Sequence, residues 1–590
     1  MYWMPKGRLA RVIALAAWGW LASGTLHAQS ATPVTPEDEY KKNIRVSEDI
    51  QPLGENPFGE SISLYSGGLS FEQTDVSAAG IGPVLSLSRH YELPAQQEHI
   101  NLLDNAFGSW DLDLPRITTV TANQQNVTGW VTASGGKAIC SGFGAPPTVG
   151  STDTARGPWA PSQWWHGYQL VIPGQGSQDL LGRASANTLA PSMGGMSFPI
   201  VTKQNWQISC LAQAENDSTI EAFLAVAPDG TKYWFNHLAY RYLSSMTRGL
   251  HSNPVPQSIS LDGSLQPMAS AEDFLNRREA SMFVTRIEDR FGNYLTYSYD
   301  GSNRLTAITA SDGRALSVQY SDSTPLIHSV TLQPANSTPR TWTYTYGQGV
   351  WGASSKELMG VTLPDGSAWQ FALSTLTGNA WIDTTDAGSI CNAPAVPNNL
   401  NTSYTGSITH PSGLVGTFTV KPLKRGRSYV TRECWAGSTN GQTGPMDAGT
   451  FALIPDAWYA MAITQRQYSG AGMPVRTWTY AYSPSNESWT ADSCASAGTC
   501  ATTVYTDETD PSGNGTRYTF SNRFDASESL PLRTDYYSGA AGGTLVRAEV
   551  DSYANPTGGP WPASLGYNEQ TYVNQAQTTE LSPLNQRVIT

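Results

Sequence analysis

The residues of this chain that could do chemistry are its histidines, acidic groups, cysteines and tryptophans, and their spacing decides which chemistry is open. Seven histidines follow residue 30: His90, His99, His166, His237, His251, His328 and His410. No two lie within four residues of each other, so no short-range metal pair is formed. The motifs GxSxG, HExxH and GxxxxGK[ST] are absent, which removes the common signatures of a nucleophile elbow, a zinc protease and a phosphate loop. Paired carboxylates are the remaining catalytic route, as in glycoside hydrolysis, where two acids flank the scissile bond. Asp111 and Asp113 face one side of a strand. Asp229, Asp312 and Asp365 sit in turn sequences, where local hydrogen bonding gives aspartate a sufficient role. No catalytic residue, metal or cofactor is assigned, and the chain reads as non-enzymatic.

Tryptophan offers a different chemistry. Trp159, Trp164, Trp165 and Trp206 either stack on sugar rings or fill the faces of sheets, where large rings supply much of the buried area. For Trp164 and Trp165 both readings stay open, because adjacent strand residues point to opposite faces. A carbohydrate-binding adhesin using these two rings is therefore an alternative, and a secreted hydrolase a weaker one.

The six cysteines, Cys140, Cys210, Cys391, Cys434, Cys494 and Cys500, are even in number and form no CxxC pair. In an oxidising compartment that reads as disulfides rather than zinc. Neighbours that share a loop-like segment favour sequential pairing, Cys140–Cys210, Cys391–Cys434 and Cys494–Cys500, although spacing alone leaves other pairings open.

The compartment follows from the first residues. Lys6, Arg8 and Arg11 precede an apolar run, Val12–Ala22, and Ala28 supplies a small residue for cleavage. This order is that of a secretory signal peptide, and the run is well short of the roughly 20 residues that span a bilayer. No later stretch is long and apolar enough to be a transmembrane helix, so a secreted protein (periplasm, cell surface or extracellular) is expected. Cleavage removes three basic residues and takes the net charge from −13 to −16. Nucleic acid is excluded as a partner, since phosphate neutralisation needs the opposite balance.

The elements that position these residues are strands. Among 590 residues there are 55 Gly, 37 Pro, 27 Tyr and 19 Trp, with 14% charged, a mixture that favours strands with frequent turns over helices. Ala271–Glu279 alone resembles a helix. Ile62 and Leu64 alternate with Ser61 and Ser63, and Val84, Leu85 and Leu87 lead into Arg89, His90 and Tyr91.

One hairpin element repeats. Pro364, Asp365 and Gly366 precede Trp369 and Phe371; Pro411 and Gly413 precede Phe418; Pro511 and Gly513 precede Tyr518 and Phe520. Looser copies are Pro228, Asp229 and Gly230 with Tyr233 and Phe235, and Asp312 and Gly313 with Val318 and Tyr320. Proline presets φ for the turn, glycine supplies the positive φ, and aromatics two apart share one strand face. A second duplication, Arg340–Tyr346 and Arg476–Tyr482, places Trp342, Tyr344 and Tyr346, or Trp478, Tyr480 and Tyr482, on one face. The organisation is a signal peptide over 1–28, a linker over 29–55 and an N-terminal β region over 56–120. A disulfide-containing insertion covers 121–225 and repeat hairpins 226–375. A repeat with an insertion follows over 376–460, then degenerate hairpins over 461–537 and a tail over 538–590.

Residues 286–320 resemble the YD repeat of bacterial Rhs proteins, through Tyr297, Tyr299 and Asp300, then Arg304 and Leu305, with Asp289, Gly292 and Asn293 in the preceding turn. Thr74–Asp75 and Pro83–Tyr91 are similar to the opening segment of Rhs shells, and Phe107, Trp110, Leu112 and Leu114 fit the strand that follows there. The resemblance implies an all-β fold of successive antiparallel β-hairpins forming a large curved sheet or partial shell, with loop-rich insertions. It implies a partner that is a cell-surface protein or glycan, or a separately encoded Rhs or toxin component. Leu581–Thr590 shows no core or cleavage motif of that family, so encapsulation of a toxin by this chain alone is not implied.

Overall fold

The computed structural model describes residues 56–93, 106–248, 257–259, 265–267, 273–379, 396–435, 451–553 and 563–564. Within these spans 125–126, 133–135, 151–157, 160, 162–163, 166, 184–192, 323, 336, 350–355, 431–433, 453–455 and 526 are not described. The expected signal peptide and linker, Cys391, and the histidines His99, His166 and His251 lie outside the described residues.

The fold is nearly all β, 55% strand, as the Gly/Pro/aromatic composition predicts. Among the described residues there are two short helices, Ser374–Asn379 and Ser493–Ser496, which the sequence pattern does not announce. From Lys232–Arg248 to Thr544–Val550 each strand of the large sheet pairs antiparallel with the next strand of that sheet, and two small hairpins, Gln257–Ile259 with Leu265–Pro267 and Cys434–Trp435 with Phe451–Ala452, stand apart from it. The resulting 25-stranded sheet is not closed into a barrel. Alternation along each strand sorts the faces. In Tyr294–Tyr299, Leu295 and Tyr297 are buried and Thr296 and Ser298 are not.

The helix expected at Ala271–Glu279 is not formed. Asp273–Glu288 is a strand paired along one edge with Lys232–Arg248. Its other edge is shared, first by Arg116–Gln124 and then by Tyr294–Tyr299. Helix propensity over so short a segment is worth little, and a ladder on both sides outweighs it. The same branch brings the Cys140–Cys210 region into the sheet. Ala222–Val226, Gln207–Leu211, Ile200–Val201 and Leu181–Gly182 extend it from Lys232–Arg248, and Cys140–Cys210 is bonded with Cα atoms 5.4 Å apart. Cys494–Cys500 is also bonded. The expected Cys391–Cys434 bond falls outside the described residues.

A second sheet of four strands, Glu60–Ile62, Leu69–Ala78, Leu85–Glu92 and Asp111–Asp113, packs on the large one. Aromatics on its strands and in the segments that flank them meet one repeat strand after another: Phe107 against Tyr344, Trp110 against Phe371, Phe71 against Phe418, Phe58 against Tyr468, and Tyr65 against Phe520. Phe58, Phe71, Phe107 and Trp110 are essentially fully buried, and each such ring stabilises the contact by about 2–3 kcal/mol. Gly416 shows how close the fit is. A Cβ there would lie 2.4 Å from the Phe58 ring, so the repeat strand omits its side chain where this ring enters.

Candidate functional site

The signature stretch around Tyr299–Asp300 is built from two identical turns. Asp289 N–H donates to the Asn293 carbonyl and Gly292 N–H to the Asp289 carbonyl; Asp300, Asn303 and Arg304 repeat the pattern. The fourth residue of each loop has positive φ, +88° at Gly292 and +61° at Asn303. This is a type I turn closed by a left-handed bulge residue, a common three-residue hairpin loop. The aspartates hold it. Asp289 Oδ1 accepts from Phe291 N–H (2.8 Å) and Asn293 N–H (3.0 Å). Asp300 Oδ1 accepts from Ser302 N–H (2.9 Å) and Arg304 N–H (3.0 Å), and its Oδ2 from Arg304 Nε–H (2.8 Å).

The same closure recurs at Ala227–Thr231, Ala310–Arg314, Leu363–Ser367, His410–Leu414 and Asp510–Asn514. Gly230, Gly313, Gly366, Gly413 and Gly513 take its positive φ. In the copies with Pro228 and Pro364, the following Asp229 and Asp365 accept from the backbone N–H two residues on. In those with Pro411 and Pro511 the acceptor precedes the proline: Asp510 Oδ1 takes Ser512 N–H, and His410 Nδ1 takes Ser412 N–H at 3.0 Å.

Tyrosine has a second repeated role that sequence reading missed. The Tyr299 hydroxyl donates to the Val284 carbonyl (2.7 Å), Tyr320 to Leu305 (3.0 Å), Tyr346 to Ile327 (2.6 Å), Tyr482 to Ile463 (2.6 Å) and Tyr553 to Pro531 (2.6 Å). The acceptors Leu305 and Ile327 pair with the tyrosines of the preceding hairpin, Tyr299 and Tyr320, at β-bulges. Each hydroxyl thus satisfies a carbonyl beside a ladder that the bulge interrupts. The regular reappearance of tyrosine at hairpin ends was its visible signal.

Two polar seams join the sheets. In the first, Arg89 and Asp75 form an ion pair at 2.9 Å with side chains 0% and 1% exposed. Gln73 Oε1 also accepts from Arg89, and the guanidinium lies over Trp110 (4.3 Å) and Phe371 (4.7 Å). In the second, the Asp111 carboxylate takes both terminal nitrogens of Arg241, and Arg116 sits 3.6 Å from Asp113 and 3.8 Å from Glu279. A cleft of about 330 Å³ is lined by Asp111, Arg116, Arg241, Glu279, Tyr299 and Arg304, among others. Burial works against the charge of Asp111, but Arg241 and His90 outweigh it and hold the carboxyl down at about 2. Burial likewise opposes ionisation of Glu279, and Arg116 and Arg241 reverse the shift. Glu72 and Asp113 are pushed up by burial, but neither lines the cleft. An acid–base pair needs a protonated carboxyl beside an ionised one. The cleft holds two carboxylates kept ionised by arginine, an arrangement that clamps elements together rather than one that moves protons.

Trp164 and Trp165, the candidates for sugar stacking, are 0% and 2% exposed, and Trp165 Nε1–H donates to Thr119 Oγ1 at 2.9 Å. Trp159 and Trp206 are buried as well. All four rings belong to the hydrophobic core, Trp165 edge-on to Tyr168 and Trp206 against Tyr233, so Trp164 and Trp165 are packed inside rather than presented as exposed stacking faces. Among the described residues no group of three His, Cys, Asp or Glu side chains could hold a metal ion.

Residues 284–315 match the family model described as RHS Repeat. No curated protein matches the chain. Among solved structures, the N-terminal domain of effector protein SpvB from Salmonella typhimurium strain LT2 is 11% identical, with a TM-score of 0.24, over 49% of this chain and 97% of that one. The structure of TcdB2-TccC3-Cdc42 is 10% identical with a TM-score of 0.28 over 86% of this chain. This chain covers 29% of that one, under a third of its length. A porin-like protein from Bacteroides uniformis is 11% identical, TM-score 0.17, over 56% of this chain and 88% of that chain.

Proposed function

We propose that this RHS-repeat chain is an exported, non-enzymatic scaffold that joins its sheet to a separately encoded RHS or toxin component. The observation that carries this reading is the state of the last long strand. Thr544–Val550 pairs with Pro531–Ser538 on one side, and among the described residues no strand lies on its other side. Leu545 and Val546 are 47% and 69% exposed there. An unpaired edge with apolar side chains is a template for strand addition, and the strand's two charges, Arg547 and Glu549, pair with each other. Tyr553 carries the same carbonyl lock as the inner hairpins, so the edge is built like a position meant to be followed. Export is supported by the basic, apolar and small order of Lys6–Ala28.

Co-expression with the products of the adjacent coding sequences tests this. A complex that co-purifies with the chain, and is lost on the double change Leu545→Lys, Val546→Lys, is the expected result. Absence of any complex, or one indifferent to these lysines, rejects the reading.

A further inference from the structure

Glu60 occupies an unusual position for a carboxyl. It lies on the first strand of the small sheet, 1% exposed, between that sheet and the repeat strand Ala457–Gly470. Phe58 N–H donates to Oε2 at 3.0 Å, the Tyr468 hydroxyl donates to Oε1, and Arg466 stands 3.6 Å away. Arg466 is shared: the Nη1 nearest Glu60 also donates to Asn56 Oδ1 (3.1 Å), Nη2 reaches Glu508 (3.5 Å), and the guanidinium lies over Trp478 (4.5 Å). Glu508 in turn accepts from the hydroxyls of Tyr480 (2.9 Å) and Tyr518 (3.3 Å). One guanidinium therefore serves two carboxyls, and Glu60 is the one without access to solvent.

Arg466 and Tyr468 also line a cavity of about 590 Å³, together with Arg476, Glu508 and Asp510. Glu60 itself does not line the cavity; Arg466 and Tyr468, which both contact Glu60, do. We propose that Glu60 is a proton-operated clasp that seats the small sheet on Ala457–Gly470 when protonated and loosens it when ionised. The charged and titratable groups in contact with it from the packed elements are Arg466 and Tyr468, and beyond them Arg476, Glu508 and Asp510 line the cavity. None supplies Glu60 with a full counter-charge of its own. Burial raises its carboxyl to about 7 against the opposing pull of Arg466. A carboxyl raised in the folded state stabilises fully below its unfolded value near 4.5, and that stability is lost as pH rises through about 7.

The test is hydrogen–deuterium exchange of residues 57–71 in the full chain between pH 5 and 8.5, corrected for intrinsic rates. Protection is expected to fall by roughly tenfold or more across the range in the wild type. In Glu60→Gln, which is neutral at every pH, the fall should shrink to less than half that on a logarithmic scale. Tyr468→Phe guards against a folding failure of that variant. It removes a donor that favours the ionised form, so the midpoint should move to higher pH. A wild type whose protection is flat, a Glu60→Gln chain with the full dependence, or an unmoved midpoint in Tyr468→Phe overturns the clasp.

Discussion

The Tyr344 hydroxyl donates to Asp75 Oδ2 at 2.9 Å, joining residues 269 positions apart in sequence. Tyr344 belongs to the repeat strand Arg340–Gln348 and Asp75 to the small sheet, where it is bulged out beside Thr74 and Val76. The bulge aims the carboxylate inward, to where Arg89 lies against Trp110 and Phe371. Removing one partner of a buried pair strands the other charge, at a cost of about 3–5 kcal/mol. Asp75→Ala or Arg89→Met should lower the unfolding free energy by that order, and Tyr344→Phe by only about 1 kcal/mol. Equilibrium urea unfolding of all three checks the ranking; an Arg89→Met chain as stable as wild type would contradict it.

The tyrosine-to-carbonyl bonds predict a graded series. Tyr299→Phe, Tyr320→Phe and Tyr346→Phe each remove one hydroxyl and leave a buried carbonyl short of a donor, at about 1 kcal/mol each. Because the three act on successive hairpins, their effects should nearly add, and exchange protection should fall first around Val284, Leu305 and Ile327. Exchange mapped by peptide mass would show otherwise if the losses were spread evenly over the sheet.

What the sequence made legible was local. The Pro–Asp–Gly and Asp–x–x–Asn/Gly loops announce their turn because each residue has its own reason to be there: a fixed φ, an acceptor carboxylate, a positive φ. The alternation in Tyr294–Tyr299 and Leu305–Ala310 announces strands by period two. What stayed hidden depends on residues distant in the chain. Nothing near Asp111 points to Arg241, and nothing near Glu60 points to Arg466. Ala271–Glu279 reads locally as a short helix, and only the ladders to Lys232–Arg248 and Arg116–Gln124 make a strand from Asp273 onward. Trp164 and Trp165 failed as exposed rings for the same reason, since burial is decided by what folds over them.

His410 predicts a pH effect confined to one turn. It stands where Asp510 stands in the matching loop, with Nδ1 accepting from Ser412 N–H, so the neutral ring is the form that caps the turn. Burial lowers its proton affinity in the folded state. A base so lowered contributes stability above its unfolded value, near 6.5, that is lost as pH falls through the folded one. His410→Asp should keep the turn closed at pH 5, read as amide protection at Ser412 and Gly413. Gly366→Ala separates conformation from contact: nothing lies within 4 Å of its added Cβ, so only the strain of φ +85° remains, about 1–2 kcal/mol.

The two disulfides among the described residues predict unequal effects of reduction. Cys140–Cys210 closes 70 residues and ties the segment around Ile139 to the sheet strand Gln207–Leu211, whereas Cys494–Cys500 closes only 6. If restricting the unfolded chain is the main contribution, the longer loop is worth about 4 kcal/mol and the shorter about 2. Cys140→Ala with Cys210→Ala should therefore shift the urea midpoint roughly twice as far as Cys494→Ala with Cys500→Ala. Glu221 offers a further check, because it accepts from the Cys140 and Ser141 N–H groups at 3.0 and 2.8 Å and holds the same segment without the bond. Glu221→Gln should cost little in the oxidised protein and more in the Cys140→Ala, Cys210→Ala background, a coupling that a double-mutant cycle measures directly. Strict additivity would mean that the carboxylate and the disulfide restrain different motions.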